Sequence, residues 1–524
     1  MVYFTSKSSF NKLFLVLLLT LYSGYSAIAQ ITTANLFRNS YALYESMRLP
    51  NGCYRDGKVF AGADYHPIST ANTGMGLVGI CIATQKGWIT RATGIAQVTK
   101  TLNSIRGYTT GFKMDTNAAG FPRHFLNINT GANEWNSEYS TIDTALMVCG
   151  AMFAKKYFND GVITRLADEI YNSVNWSKAI ANETTGTLYL ELDAAGNGVG
   201  GTIGTYSEYM LVAYFAYRAE DGQGGPATRL WNKFYANPNS PDVPKRTYFQ
   251  HTVLSDGSWL SSFIPQFCYY LNTTFINNTA YVGFLGAQKN ADKLWFDNSG
   301  THAAYEWGLG AGSANVPSGY HADRIDDNAT RIVSPHIIAG FWPVNAGSIT
   351  DLTNMSGAGK GIYTLNGTST RILWRYSLTN PAWKATDIQG VDYATMLFGL
   401  AANNLGIQFF KTNNLYNLGT HNFVRPTAKG SNDTKMGIST NETVTEIVAV
   451  YPSPATDFIT IDYGNDIQAV LKIQLINSEG QIVFETSKYE TSKEGIDVSR
   501  FDSGVYFVRL QGDKGNVIRK IIVK

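Results

Sequence analysis

The sequence predicts an all-α toroid of paired helices, followed by a small β-sandwich. Two observations predict the helical body: apolar residues recur at helical spacing in about a dozen segments, and no regular alternation of strands and helices separates them. A change of pattern predicts the sandwich. Beyond a polar stretch that follows residue 415, apolar and polar residues alternate in short runs divided by turn residues.

The composition is typical of an exported protein with a substantial core. Of the 524 residues, 44% are hydrophobic and 13% aromatic, but only 16% are charged, which is below the usual share in soluble proteins. The net charge of +2, without a run of lysines and arginines, argues against a nucleic-acid partner. Abundant aromatic residues and few charges suit a protein that handles neutral polar ligands.

Residues 1–29 are predicted to be a signal peptide. Lys7 and Lys12 precede the apolar stretch 13–21, and Ala27 and Ala29 supply the small residues of a cleavage site. No later stretch reaches the roughly 20 apolar residues that a membrane span requires. We therefore expect a mature chain that begins near Gln30, has no membrane span, and is secreted or attached to the cell surface.

The first three helices follow the signal peptide in close succession. Residues 32–47 form the first, residues 69–83 the second with glycines that permit close packing, and residues 90–105 the third with Thr90 as its cap. Later helices are expected at 141–158, 162–175, 205–218, 226–235, 258–271, 276–295, 334–343, 347–356 and 390–404.

Residues 135–147 carry two carboxylates at the start of a strongly patterned helix. From Ile142 onwards, apolar residues recur at the spacing of a single core-facing stripe. Ser140 precedes this run and Asp143 lies three residues later, much like a capping box, so Asp143 could serve only to stabilise the helix start. Glu138 lies outside the helix and is the sharper catalytic candidate.

Two further carboxylates are catalytic candidates. Glu208 is the single acidic residue of an almost entirely apolar segment, where lost solvation would raise its pKa and keep it protonated as a general acid requires. The alternative is a first-turn glutamate stabilised by the helix N-terminus. Asp387 precedes the last predicted helix of the body, where loops meet an inner cavity, and is a plausible second carboxylate.

Paired carboxylates, aromatic-rich loops and a low charge together suggest glycoside hydrolysis, in which one carboxyl protonates the glycosidic oxygen and another activates water or attacks carbon 1. Neither a metal ion nor a cofactor is expected. The candidate substrate-binding residues are Trp135, Tyr139, Tyr206, Trp259, Trp307, Tyr320 and Gln389.

Three other features are given ordinary structural roles. Residues 196–201 match a dinucleotide-binding glycine pattern, but no repeated strand–helix–strand unit surrounds them, and a flexible loop is expected. The acidic cluster at 323–328 is expected to be a solvated loop, since its spacing is too irregular for a calcium loop. Cys149 and Cys268 are expected as buried thiols, whereas Cys53 and Cys81 could pair.

The C-terminal region resembles a known family. Residues 416–445 are predicted to be a linker, and 446–524 a β-sandwich. The segments 451–457 (YPSPATD), 496–498 (IDV), 504–506 (GVY) and 520–524 (KIIVK) are similar to the sorting domain of the type IX secretion system of Bacteroidetes. This resemblance implies passage across the outer membrane through the type IX machinery.

The body, residues 30–415, resembles the glycoamylase-like (α/α)6-barrel glycoside hydrolases, which include endo-β-1,2-glucanases and the cyclising domain of cyclic β-1,2-glucan synthases. The matching segments, in family order, are 73–77 (TGMGL), 138–146 (EYSTIDTAL), 157–158 (YF), 174–176 (VNW), 206–208 (YSE), 307–309 (WGL), 319–320 (GY), 334–335 (SP) and 387–390 (DIQG).

The resemblance implies an acid at Glu208 with partner carboxylates among Glu138, Asp143 and Asp387. We therefore expect a monomeric, secreted endo-β-1,2-glucanase. The alternatives are a glucanotransferase, a hydrolase of another glucosidic linkage, or a non-catalytic surface glycan-binding protein. A uronate-specific lyase is disfavoured because the seven histidines are scattered along the sequence.

Overall fold

Two units make up the chain, and the division between them falls at residues 429 and 430. The structure is a computed structural model that describes residues 30–255, 261–326, 328, 330–425, 449–451, 455–462, 470–477, 481–486, 493–512 and 515–524. The predicted signal peptide, most of the predicted linker, Trp259 and Asp327 lie outside these residues.

The first unit contains fourteen α-helices among the described residues. They are α1 (Thr33–Met47), α2 (Thr70–Lys86), α3 (Arg91–Ile105), α4 (Thr141–Phe158), α5 (Gly161–Asn172), α6 (Met210–Ala219), α7 (Pro226–Phe234), α8 (Phe263–Leu271), α9 (Thr273–Asn277), α10 (Thr279–Ser299), α11 (Pro335–Gly340), α12 (Ser348–Gly357), α13 (Gly390–Leu405) and α14 (Gln408–Asn413). Every helix expected from the sequence has a counterpart among the described residues, with ends that differ by up to about five residues, and residues 258–260 of one expected helix lie outside them.

Six helices form the centre of this unit. Each of α2, α4, α6, α8, α11 and α13 packs against the next, and α13 returns to α2. Helices α1, α3, α5, α7, α10 and α12 alternate with them in the chain, and each packs against a member of the central set. The central helices are buried on nearly all sides, so the single stripe expected for α4 is instead an almost wholly buried surface.

Glycines allow the central helices to approach one another closely. A Cβ atom added to Gly74 in α2 would lie 2.2 Å from the carbonyl oxygen of Leu146 in α4, and one added to Gly150 would lie 2.1 Å from the carbonyl oxygen of Gly74. Any side chain at either position would force the two helices apart. This confirms the packing role expected for the glycines of the second helix.

Short strands join the helices at their ends. They are β1 (Gly57–Val59), β2 (Ile68–Ser69), β3 (Phe125–Leu126), β4 (Tyr139–Ser140), β5 (Ile180–Asn182), β6 (Thr187–Leu192), β7 (Gly198–Ile203), β8 (Lys245–Tyr248), β9 (His251–Leu254), β10 (Ala311–Ser313), β11 (Tyr320–Ala322), β12 (Ile332–Val333), β13 (Ile362–Thr364), β14 (Arg371–Leu373), β15 (Tyr376–Ser377) and β16 (Asp387–Gln389). All the ladders are antiparallel, and β1 with β16 joins the two ends of the helical region.

Two of the structural expectations were wrong. The glycine-rich segment 196–201 is not a flexible loop, because its later residues form β7, which pairs with β6 as a hairpin. The acidic cluster is not wholly solvated either: Asp323 is buried and forms an ion pair with the buried guanidinium of Arg375. Arg324 and Asp326 do form a more exposed ion pair, at 3.1 Å.

Two further expectations concern the cysteines and the end of the helical unit. All four cysteines are buried free thiols, so Cys53 and Cys81 do not pair in this structure. The chain also remains packed beyond residue 415: the Tyr416 hydroxyl donates to the carbonyl of Leu271, and the Val424 amide donates to the carbonyl of Asn172. The expected start of the linker thus lies in a packed segment.

The second unit is built from two antiparallel sheets. Its strands are β17 (Ala449–Tyr451), β18 (Phe458–Asp462), β19 (Val470–Ile476), β20 (Ile482–Thr486), β21 (Lys493–Asp497), β22 (Gly504–Gly512) and β23 (Gly515–Val523). One sheet has the order β17-β18-β21 and the other β20-β19-β22-β23. Ile459, Ile461 and Ile496 of the first sheet share a core with Ile473 and Val508 of the second, as in the predicted sandwich.

Within the described residues, the search for membrane spans finds no helix with the length and apolar character needed to cross a bilayer.

Candidate functional site

The starts of the central helices bring acidic residues together at one end of the unit. Asp143 is the third residue of α4, Asp392 is the third residue of α13, and Glu208 lies two residues before α6. The charges of Asp143 and Asp392 both act on Glu208, so the three carboxyl groups are close enough to interact electrostatically.

Glu208 has the protonation behaviour of a general acid. Burial, with a smaller contribution from the charges of Asp143 and Asp392, raises its pKa to about 7. Its Oε2 atom is buried and has no hydrogen-bond partner among the described residues, although the side chain as a whole keeps partial access to solvent. A helix N-terminus that stabilised the charged form would lower the pKa. The raised pKa favours the acid interpretation over the helix-start alternative.

His124 lies between the two carboxylates of the 135–147 segment. Its Nδ1 atom is 2.9 Å from Oε1 of Glu138, and its Nε2 atom is 3.6 Å from Oδ1 of Asp143. The ring stacks on Phe125 at a centroid distance of 3.8 Å. Burial lowers the pKa of His124, but Asp143, Glu138 and Asp56 outweigh it and raise the pKa to about 9. The imidazole is therefore a cation at neutral pH and fixes both carboxylates.

Glu138 and Asp143 differ in how they are held. Burial raises the pKa of Glu138, but the hydrogen bond and charge of His124 outweigh burial and leave this pKa below its ordinary value. Asp143 accepts a short hydrogen bond from the Ser140 hydroxyl, whose oxygen in turn accepts from the Asp143 amide at 3.2 Å. Ser140 thus caps the helix, but the second bond of a capping box is not formed, because the Ser140 amide donates to the carbonyl of Pro122 at 3.1 Å. The other oxygen of Asp143 faces His124.

Asp387 is held in a separate network. Ser313 donates to its Oδ1 at 2.8 Å, and His66 Nε2 lies 3.4 Å from its Oδ2. Burial raises its pKa, but the hydrogen bonds from His66 and Ser313 outweigh burial and lower it. Gln389, in the same strand as Asp387, accepts from the Ser313 amide at 3.0 Å and so helps to hold Ser313 in place. Both oxygens of Asp387 are already engaged by protein groups.

Asp56 connects the two networks. Burial raises its pKa to about 6, against the opposing charges of His124 and His66. The charges of Asp143 and Asp387 act on it as well. Asp56 therefore faces both histidine–carboxylate groups, and the sequence analysis did not single it out.

Asp392 is also a site residue that the sequence analysis missed. Burial raises its pKa to about 7, with the Arg375 charge opposing and the Asp56 charge adding. The Tyr320 hydroxyl lies 3.2 Å from Oδ2 of Asp392, while the side chain of Tyr320 remains 44% exposed. Tyr320 thus reaches from solvent to the acidic group, as a substrate-contacting residue would.

Trp135 is the other predicted aromatic residue with a free face. It is 55% exposed and packs edge-to-face on Phe125, the same ring that supports His124. Its φ of 54° lies in the left-handed region, which is uncommon for a bulky residue and marks a locally strained segment.

Three predicted aromatic residues are largely buried. Trp307 is fully buried and donates its indole N–H to Asp351 at 2.9 Å. Tyr206 is buried and stacks on Tyr281. Tyr139 is buried and packs under the Arg123 guanidinium, which lies 3.7 Å from its ring centroid. In this structure the three rings pack against other protein groups, and no face of Trp307 is open to a sugar.

Among the described residues, the groups that could share a metal ion are His124, Glu138 and Asp143. The imidazole uses one nitrogen on each carboxylate, so a cation would have to displace one of these contacts. A cavity of about 390 Å³ opens beside Glu138 and is lined also by Arg123, Tyr139 and Glu191. This cavity makes the Glu138 side of the site accessible to a ligand.

Comparisons with known proteins give the following similarities. Residues 449–524 match the family described as the secretion system C-terminal sorting domain. The ulvan lyase NLR42 of Nonlabens ulvanivorans is 27% identical over 190 residues, which are 34% of this chain and 34% of the lyase. The chain therefore matches about a third of the length of that curated relative.

Two solved structures share the fold of the helical unit. The endo-β-1,2-glucanase of Chitinophaga pinensis, in complex with sophorotriose and glucose, has 15% identity and a TM-score of 0.58 over 73% of this chain and 94% of its own. The β-1,2-glucanase of Parabacteroides distasonis has 15% identity and a TM-score of 0.52 over 72% of this chain and 57% of its own. The C-terminal unit is a type IX secretion sorting domain, and the protein is exported to the cell surface or the medium.

Proposed function

We propose that the helical unit is an (α/α)6 glycoside hydrolase acting on glucan, and specifically an endo-β-1,2-glucanase. The observation that carries the proposal is a contrast between two carboxyl groups: the pKa of Glu208 is raised to about 7, whereas the pKa of Glu138 is lowered. Glycoside hydrolysis needs one carboxyl group protonated and another ionised at the same pH.

Glu208 takes the role of the general acid. Its carboxyl is protonated near neutral pH, and its Oε2 atom is not engaged by another described residue. Oε2 itself is shielded from solvent, so the proton would reach the oxygen of a glycosidic bond through the part of the side chain that keeps solvent access. The negative charges of Asp143 and Asp392 help to keep the proton in place until the bond breaks.

Glu138 takes the role of the ionised partner, with His124 as its positioning residue. The imidazolium holds Glu138 at 2.9 Å and lowers its pKa, so that it stays ionised while Glu208 is protonated. Asp143 completes the clamp on His124 from the other side. Asp387 is the weaker candidate, because Ser313 and His66 already occupy its oxygens.

The charge of the site favours a neutral sugar. Asp56, Glu138, Asp143, Glu208 and Asp392 face it, and the histidine cation His124 is already shared by two of these groups. A uronate would bring a further negative charge into this surrounding and would be repelled. This argument supports a glucan over the acidic substrate of a lyase, and Trp135 and Tyr320 supply exposed rings for stacking.

The β-1,2 linkage is proposed because two neighbours in fold are named as β-1,2-glucanases. A glucanotransferase, a hydrolase of another glucosidic linkage and a glycan-binding protein without turnover are the alternatives.

The test is product analysis with the purified protein. It would be incubated with linear β-1,2-glucan and, separately, with β-1,3-, β-1,4- and α-glucans and a uronate polysaccharide. Short sophoro-oligosaccharides that disappear in Glu208→Gln, but not in the exposed-site control Glu45→Gln, would support reaction, linkage and acid together. Unsaturated uronate products would favour a lyase. Binding without products from any glucan would contradict the hydrolase proposal.

A further inference from the structure

A second cavity has none of the carboxylates of the candidate active site in its lining. Its volume is about 760 Å³, and it lies between the C-terminal end of α3 at Ile105 and the residues that follow α5, Ser173 and Val174. The loop after α3 covers it, and Met147 of α4 forms part of its floor. This volume is in the range of sites for organic ligands and far larger than an inorganic ion needs.

One wall of this cavity is organised by a carboxylate behind it. Glu169 of α5 is not part of the lining, but its Oε2 accepts from Arg106 Nε at 3.2 Å and from the Tyr108 hydroxyl at 2.8 Å. Its Oε1 accepts from Arg165 at 2.5 Å. The Arg106 guanidinium also lies 5.4 Å from the Tyr108 ring centroid. Three lining side chains are therefore held in place before any ligand arrives.

The lining carries positive charge. Arg106, Lys113 and Arg165 contribute three cations, and none of the described residues that line the cavity is acidic. Glu169 balances one of these charges from behind. Lys113 is exposed, and no carboxylate of the described residues lies within ion-pair distance of its ammonium group. The wall thus keeps an excess of positive charge, opposite in sign to the candidate active site.

The remaining lining suits a sugar. Thr109, Thr110, Thr116 and Thr130 add hydroxyl groups, and Tyr108 adds a ring that is 42% exposed. Hydroxyl groups, one open aromatic ring and cations together match the hydroxyls, the apolar ring face and the acidic substituents of a charged saccharide.

We propose that this cavity binds a saccharide segment bearing carboxylate or sulfate groups, independently of the catalytic residues. The site would let the protein hold a charged glycan while the carboxylate-rich site acts on a neutral one. The proposal does not depend on the proposed hydrolase activity, because it rests on the geometry and charge of the cavity alone.

The test uses calorimetry with the full-length protein carrying Glu208→Gln, so that no probe is cleaved. The probes are a tetragalacturonate, a sulfated galactan tetrasaccharide and a neutral galactan tetrasaccharide. At least one anionic probe should bind more tightly than the neutral one, with an affinity that falls as salt is added. The double variant Lys113→Gln/Arg165→Gln should bind about tenfold more weakly, whereas the charge-matched control Lys86→Gln/Lys100→Gln should not.

A second variant blocks the cavity without changing its charge. Thr110→Trp places a large ring at the exposed edge of the cavity and should abolish binding without changing the melting temperature. The proposal is overturned if neither anionic probe binds, if the neutral probe binds equally well, or if the control pair weakens binding as much as the cavity pair. Because wild type and Glu208→Gln should bind alike, loss of binding in Glu208→Gln alone would also overturn it.

Discussion

Replacing Glu208 by Gln should abolish turnover and at the same time stabilise the protein at alkaline pH. The pKa of this carboxyl is about 7 in the folded protein, against an ordinary value of 4.5. Between these values the folded chain retains a proton that the unfolded chain has lost, so stability falls as the pH rises through this window. Above pH 7 the destabilisation is complete.

The magnitude follows from the size of the shift. A change of one pKa unit corresponds to 1.36 kcal/mol, so ionisation of Glu208 costs at most about 3 kcal/mol at pH 8. Partial solvent access makes this an upper limit. At pH 5 ionisation of the same group lowers the free energy of unfolding by less than about 1 kcal/mol. Gln keeps the shape of the protonated side chain and removes the ionisation.

The assay is thermal unfolding of wild type and Glu208→Gln at pH 5 and pH 8, with turnover measured on the same samples. For a unit of this size, the variant should melt up to about 4 °C higher at pH 8 and much less so at pH 5. Turnover should fall by about 100-fold or more, the usual contribution of a general acid. Glu45→Gln, at an exposed position of α1, should change neither. An equal melting shift at both pH values, or retained turnover, would refute the reasoning.

Three further predictions test the surroundings of the site. His124→Asn removes the cation that lowers the pKa of Glu138, so the acidic limb of the pH profile of kcat/KM should move to higher pH. Trp135→Ala should raise KM for long glucans about fivefold, with kcat and melting temperature unchanged, because the ring is exposed. Arg375→Met removes the cation that pairs with the buried Asp323 and leaves it only the His321 ring, at 2.9 Å, so it should cost about 3 kcal/mol in urea unfolding, part of which Asp323→Asn in the same chain should restore.

The helices could be predicted from the sequence because their signals are local. Ser69, Thr90 and Ser140 each accept a hydrogen bond from the backbone amide three residues later, as N-caps do. The position of Asp143 in the first turn of α4 could be predicted from the same capping pattern. Glu208 could be identified because a lone acid in an apolar segment is unusual whatever the tertiary structure.

The partners of these carboxylates could not be predicted, because only the closed arrangement of helices brings them together. His124 belongs to a loop without periodicity, and nothing local links it to both Glu138 and Asp143. Asp56 lies next to the start of α13 because its carbonyl accepts from the Gly390 amide at 2.7 Å, across more than three hundred residues. Contacts between residues so far apart in the sequence cannot be predicted from local sequence patterns.

Residue type alone also could not separate exposed from buried aromatic side chains. Trp307 and Trp135 look equally suited to sugar stacking in the sequence, yet one is fully buried and the other is 55% exposed. The difference depends on which face of the fold each loop reaches. Burial could not be judged until the central helices and their connecting loops were placed.

Asp392 is the site residue for which a signal did exist. It is the third residue of α13, as Asp143 is of α4, and both helices begin at the same end of the unit. If the helices are assumed to form a ring, two carboxylates at the same position of two central helices are expected to lie close to each other. The roles of the two residues need not match, since burial raises the pKa of Asp392 to about 7 while the Tyr320 hydroxyl lies against it.

Asp392→Asn therefore tests whether Asp392 rather than Glu138 is the base. With Glu138 as the ionised partner, Asn replaces a carboxyl that is largely protonated at pH 6, and most of the turnover should survive there. The basic limb of the profile should move to lower pH, because the negative charge of Asp392 that raises the pKa of Glu208 is gone. With Asp392 as the base, the same variant would lose turnover by orders of magnitude at every pH. Measuring kcat/KM from pH 5 to pH 9 separates these outcomes, and unchanged melting at pH 6 would show that the fold is intact.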